Sequence, residues 1–166
     1  MYSDPIAFFL TWTCYGTWLP GDHRGSTRWH RGFQPPQPQL EKWTHSRMKS
    51  DAVLLTADQR SIVEATVQKH VEIRKWYLHQ VNCRTNHCHV VVTAQDYSPD
   101  VVLDQLKSWC KRKLTDQQRS LAISPIRDRW WTRGGSRRLV FDEETLAEVV
   151  AYVRDAQDAG GSSGME

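Results

Sequence analysis

No run of about 18 apolar residues occurs in the 166-residue sequence, which excludes a membrane-spanning helix. Internal repeats are absent as well, so solenoid and propeller architectures are excluded. Cysteine is sparse: Cys14, Cys83, Cys88 and Cys110 fall in no regular framework, so a disulfide-stapled scaffold is not expected. The opening MYSDPIAFFLTWT lacks a basic n-region and a small-residue cleavage site, and the expectation is a cytoplasmic chain with reduced thiols. Hydrophobic residues are only 39% of the chain and charged ones 25%, with a mean hydropathy of −0.63. A soluble single domain at residues 1–159 with a flexible tail at 160–166 fits that composition and length.

The net charge is only +3, but it is unevenly spread. Residues 105–138 hold ten Lys/Arg against Asp116 and Asp128, a local +8, and residues 23–49 hold six against Glu41, a local +5. Residues 139–166 carry seven acids against Arg154, a local −6. Clustered cations attract and hold phosphates whatever the global balance, so a polyanion partner is one reading and a solvated surface the other. Tryptophan is abundant, with eight in the chain. Trp12, Trp76 and Trp109 lie in periodic apolar stretches and are expected in the core. Trp18, Trp29, Trp43, Trp130 and Trp131 lie in or beside basic or loop-like segments, where aromatic faces among arginines can stack on single-stranded bases.

Residues 6–13, IAFFLTWT, read as a buried strand. Glycine and proline then dominate, and residues 15–50 are expected to form a long loop, which compact domains seldom carry without a purpose. Thr56-Ala-Asp-Gln59 is a capping box opening a helix that runs to about Lys75. Strands follow at 76–84 and 87–94, joined so tightly that they must be antiparallel. Ser98 caps a helix with Pro99 at its first position, expected to end near Leu114. The end of WWTRGGSRRLVF reads as a strand, and Asp142 caps a last helix carrying Leu146, Val149, Val150 and Val153. Without that last helix the order is βαββαβ, so the expected class is α+β, a ferredoxin-like (RRM-like) antiparallel sheet with an added C-terminal helix.

His87-Cys88-His89 lies at the start of a strand, where alternation puts the two imidazoles on one face and Cys88 on the other. Two imidazoles at i and i+2 can hold one divalent ion. The alternatives are a half-buried structural pair, or zinc on Cys83, His87 and Cys88, whose spacing matches no usual zinc pattern.

Four segments together, FFLTWTCYGTWLPGD (8–22), NHCHVVV (86–92), WWTRGGSRRLVF (130–141) and EVVAYVRDAQ (148–157), resemble the single-tyrosine HUH transposases of the smallest insertion sequences and the related REP-associated tyrosine transposases. The resemblance spans nearly the whole chain. It implies that His87 and His89 bind Mg2+ or Mn2+ and that Tyr152 is the nucleophile. It further implies Gln157 as the third metal ligand, although better-known members place that residue four after the tyrosine, where Ala156 stands here. At the helical step of about 100° per residue, Tyr152 falls about 120° from Leu146, on the flank of the apolar stripe. Gln157 then falls about 140° from Tyr152 and Asp155 about 60°, so Asp155, a carboxylate, is the geometric rival for the metal.

The activity so implied is metal-dependent cleavage and strand transfer of single-stranded or hairpin DNA through a covalent 5′-phosphotyrosine. The chain would work as a homodimer near the nucleoid of a prokaryotic cytoplasm, with no membrane partner. DNA contacts are expected from Lys107, Lys111, Arg112, Arg129, Trp130, Trp131, Arg133, Arg137 and Arg138. Two alternatives stand beside this reading. One is a ferredoxin-like nucleic-acid-binding module without catalysis; the other is a domesticated, inactive transposase relative.

Overall fold

The computed structural model describes residues 3–17, 26–28, 32–48 and 51–156. In chain order these hold β1 (Ala7–Thr13), β2 (Ser26–Arg28), β3 (Gly32–Gln34), α1 (Pro38–Ser46), α2 (Ala57–Arg74), β4 (Tyr77–Cys83), β5 (His87–Thr93), α3 (Pro99–Ser120), β6 (Ser136–Val140) and α4 (Glu143–Ala151). A π-helical turn over Tyr152–Ala156 continues α4.

Local signals account for most of these boundaries. Thr56 and Gln59 form the expected reciprocal capping box at the start of α2. The Ser98 hydroxyl accepts from the Val101 amide, with Pro99 in the first turn of α3. The Asp142 carboxylate accepts from the Thr145 amide and starts α4.

The four-stranded sheet has the order β4-β5-β1-β6 with every neighbouring pair antiparallel. Omitting β2, β3 and α1, the elements follow β1-α2-β4-β5-α3-β6, the ferredoxin-like pattern. Period-2 alternation divides the buried residues into two cores. On one face Leu10, Trp12, Cys88, Val90 and Val92 pack against Val63, Val67, Leu103 and Leu106 of α2 and α3. On the other face Ala7, Val91 and Val140 pack against Leu146, Val149 and Val153. Each fully buried Val or Leu contributes roughly 1.5–3 kcal/mol, so the second, smaller cluster is enough to hold α4 on its face.

Three expectations about this frame need correction. The segment at 15–50 is not wholly irregular, since α1 and the β2–β3 pair lie within it. Helix α1 buries no residue, so no apolar periodicity announced it. Helix α3 runs six residues past Leu114 because Gln118 is buried, its side-chain oxygen accepting the Arg127 amide at 2.7 Å. Trp109 is not in the core. It is exposed on α3, with the Arg112 guanidinium 4.6 Å from its ring centre.

Candidate active site

One row of side chains crosses the sheet on the α4 face. In register from edge to edge stand Asn82 of β4, His89 of β5, Thr11 of β1 and Ser136 of β6. His87 lies two residues before His89, opposite Thr13. The rings of His87 and His89 meet edge to face, with centres 4.8 Å apart.

Hydrogen bonds to Nδ1 fix the orientation of both rings. The His87 Nδ1–H donates to the Asn86 side-chain oxygen at 2.7 Å, which leaves the ring's lone pair on Nε2. Nδ1 of His89 shares a hydrogen bond of 2.7 Å with the Thr11 hydroxyl. Metal-ligating histidines usually have their second nitrogen held this way, which fixes the tautomer and aims the ligand nitrogen. His89 is only 8% exposed, and that burial, with the nearby His87, lowers its pKa to about 4. The ring is therefore neutral at physiological pH, the form that binds a metal ion. On its donor chemistry the pair fits a divalent cation.

The tyrosine reaches the same place from the other element. Tyr152 is the first residue of the π-helical turn and is 46% exposed. Its ring centre lies 5.9 Å from that of His89 and 6.2 Å from that of Phe9. Phe9 also packs on His89, with centres 5.4 Å apart, so an apolar ring supports both polar ones. The backbone of the turn is tied to β4 by the Asn82 amide, which donates to the Val153 carbonyl at 2.9 Å.

Other sequence candidates fare unevenly. Gln157 lies outside the described residues. Asp155 is gripped by its neighbour: the Arg154 guanidinium donates to both carboxylate oxygens at 2.8–3.0 Å, which holds the carboxyl below its ordinary range. The π-helical winding also removes the ideal α-helical step behind the 60° estimate, so Asp155 loses its geometric advantage. Among the described residues no three His, Cys, Asp or Glu side chains are grouped to hold a metal, and the zinc set of Cys83, His87 and Cys88 is not assembled. All four cysteines are buried and free, and burial pushes the Cys88 and Cys110 thiols well up.

The basic segment divides into structural and exposed members. Trp130 is a correction: it is 2% exposed and part of the main core, so its face cannot receive a base. The reason is backbone pairing beyond the end of β1, where the Tyr15 amide donates to the Trp130 carbonyl and Cys14 bridges Trp131. Trp131 is half-buried, packs edge-on against Trp12 and donates its indole N–H to the Lys107 carbonyl at 2.9 Å. Lys107 is a strut for the same segment, donating to the Thr132 and Gly134 carbonyls at 2.9 and 2.6 Å. Arg137 is paired with Asp100. Gly135 allows β6 to begin, because it has φ +151° and a Cβ there would sit 2.6 Å from the Thr11 carbonyl oxygen.

Arg129, Arg133, Arg138, Lys111 and Arg112 keep exposed side chains. Arg129, Arg133 and Lys111 line a groove of about 920 Å³ between α1, α3 and the segment at 128–133, joined there by Arg47 of the α1 end. Besides Trp109, an exposed tryptophan beside a cation is Trp43 of α1, under the Arg47 guanidinium, whereas Trp130 is buried. Trp18 and Trp29 lie outside the described residues. No described helix is long and apolar enough to cross a membrane.

Sequence and structure comparisons agree with one another. A family model for IS200-like transposases matches residues 45–156, more than half of the chain. Among solved structures, a transposase candidate from Deinococcus radiodurans R1 is similar, with a TM-score of 0.53 and 12% identity over 93% of this chain and 92% of that one. A REP-associated tyrosine transposase bound to a REP hairpin is also similar, with a TM-score of 0.54 and 11% identity over 97% of this chain and 72% of that one. At these identities the two structures speak for the fold. No curated protein matches the sequence.

Proposed function

The chain belongs to the family of IS200-like transposases, and from that premise we propose that it cuts and rejoins single-stranded DNA through a covalent bond to Tyr152. The observation that carries the proposal is the contact of Tyr152 with His89, which in turn packs on His87, all on one face of the sheet. A pure binding module needs neither the imidazole pair nor the phenol beside it.

In this reading Tyr152 Oη attacks a backbone phosphorus. The new P–Oη bond replaces the bond to the 3′ oxygen, the phenol loses its proton, and the leaving oxygen takes one up to become a 3′-OH. A hydroxyl from the same or another strand reverses the step, so the energy of the phosphodiester is kept and no nucleotide triphosphate is consumed. His87 and His89 would hold a Mg2+ or Mn2+ ion through Nε2, with Gln157 as the proposed third ligand. When bound, such an ion neutralises the phosphate charge and polarises its oxygens as a Lewis acid. Asn86 keeps the His87 imidazole in the required tautomer, and Thr11 holds the orientation of the His89 ring.

The DNA would lie along the exposed Arg129, Arg133, Arg138, Lys111 and Arg112, with the groove beside Arg47 receiving part of the strand. The hairpin held by a structural neighbour supports a hairpin or unpaired substrate for this chain. One tyrosine performs one cleavage, and a full excision needs two, so the working unit is proposed to be a homodimer.

The test is incubation of a fluorescein-labelled hairpin oligonucleotide with unpaired flanks in Mg2+ or Mn2+, followed by a denaturing gel. The wild type and Cys88→Ala should form a protein–DNA adduct, because Cys88 belongs to the opposite core. His87→Ala with His89→Ala should not. Equal loss in both variants points to a folding role for the strand instead.

A further inference from the structure

Asn82 stands directly across from His89 in the sheet, and it also reaches the segment that carries the tyrosine. Its side-chain amide donates to the carbonyl of Val153, the residue after Tyr152 in the π-helical turn. Val153 is fully buried in the smaller core. A hydrogen bond to a buried carbonyl is costly to lose, and this one ties the turn to β4 from outside the helix. The same strand residue flanks the imidazole on which Tyr152 packs.

Two anchors then fix the phenol. Leu146 and Val149 hold α4 against the sheet through apolar contact, which is non-directional and leaves sliding and rotation soft. The Asn82 bond is directional, and it acts one residue from Tyr152. We propose that Asn82 is a positioning residue, whose amide clamps the Val153 carbonyl and so sets the reach of the Tyr152 hydroxyl toward the His87–His89 pair. This inference rests on the assignment of Tyr152 as nucleophile. It concerns geometry, not DNA or metal affinity, because the amide nitrogen donates to the backbone of the turn.

Asn82→Asp keeps the shape but turns the donor into a carboxylate that repels the carbonyl. Asn82→Ala removes the group altogether. Displacing a reacting atom by about 1 Å can slow a reaction about 100-fold. Three measurements test the inference in both variants: single-turnover adduct formation on the hairpin oligonucleotide with Mn2+, affinity for that oligonucleotide by fluorescence anisotropy, and amide hydrogen exchange over residues 150–156. Adduct formation should slow about 10- to 100-fold. DNA affinity should stay within about threefold, and exchange in the π-helical turn should accelerate while that of β5 does not.

An unchanged cleavage rate overturns the inference, as does unchanged exchange at 150–156. A rate loss matched by an equal loss of DNA affinity also overturns it, since Asn82 would then be a binding residue. A wild-type adduct that survives Tyr152→Phe has a different meaning: the nucleophile is misassigned, and the positioning role falls with it.

Discussion

The Thr11 hydroxyl lies 2.7 Å from Nδ1 of His89, across the β1–β5 pair in which the two residues face each other in register. The bond fixes the ring without touching its outer nitrogen. Thr11→Val keeps the branched shape and removes the partner. Loss of such an outer-shell bond typically weakens metal binding 10- to 100-fold. Calorimetric titration with Mn2+ should show that loss, while thermal stability should fall by only about 1 kcal/mol. An unchanged Mn2+ affinity would mean that the packing of Phe9 alone orients His89.

The burial of His89 also sets a pH dependence. Its folded pKa of about 4 is below the ordinary histidine value of 6.5, so the unfolded chain binds the proton more tightly. Stability from this group is fully present above about pH 6.5 and is lost as pH falls from there toward 4. At pH 4.5 the loss relative to pH 7 should be about 2–3 kcal/mol. Urea unfolding of the wild type and His89→Gln at both pH values measures it, and the variant should lack this part of the slope.

Salt dependence separates the exposed cations from the structural aromatics. Replacing Arg129, Arg133 and Arg138 together by Ala removes three exposed side chains and should leave the fold intact. On single-stranded DNA each lost phosphate contact flattens the log–log salt slope by roughly 0.7, so the triple variant should lose about two units. Trp130→Ala should instead destabilise the protein by about 3–5 kcal/mol, as expected for a large buried aromatic. Anisotropy titrations in salt, with circular dichroism as a folding check, read both effects. An unchanged slope in the triple variant would take this segment out of the DNA interface.

What the sequence made legible was local. The capping groups Thr56, Ser98 and Asp142 sit within three residues of the amides they cap, and period-2 alternation alone put His87 and His89 on one face. Thr11 and Asn82 escaped notice because their importance comes from tertiary contacts, one across the β1–β5 pair and one from β4 to the π-helical turn, which link residues 78 and 71 positions apart in the chain. Trp130 was misread for a related reason. Its sequence neighbours are basic, but pairing with the chain after β1 turns it into the core. The π-helical turn leaves no compositional mark, so an ideal helical step favoured Asp155, whose carboxylate is in fact taken by Arg154.

The central claim is that Tyr152 carries the covalent bond to DNA. Tyr152→Phe removes one hydroxyl from a half-exposed ring and leaves the packing against Phe9 and His89 available. The decisive measurement is the denaturing-gel adduct assay on this variant with Mn2+, beside anisotropy binding to the same hairpin oligonucleotide. The account predicts no detectable adduct and DNA affinity within about threefold of the wild type. An adduct of wild-type yield in Tyr152→Phe would contradict it.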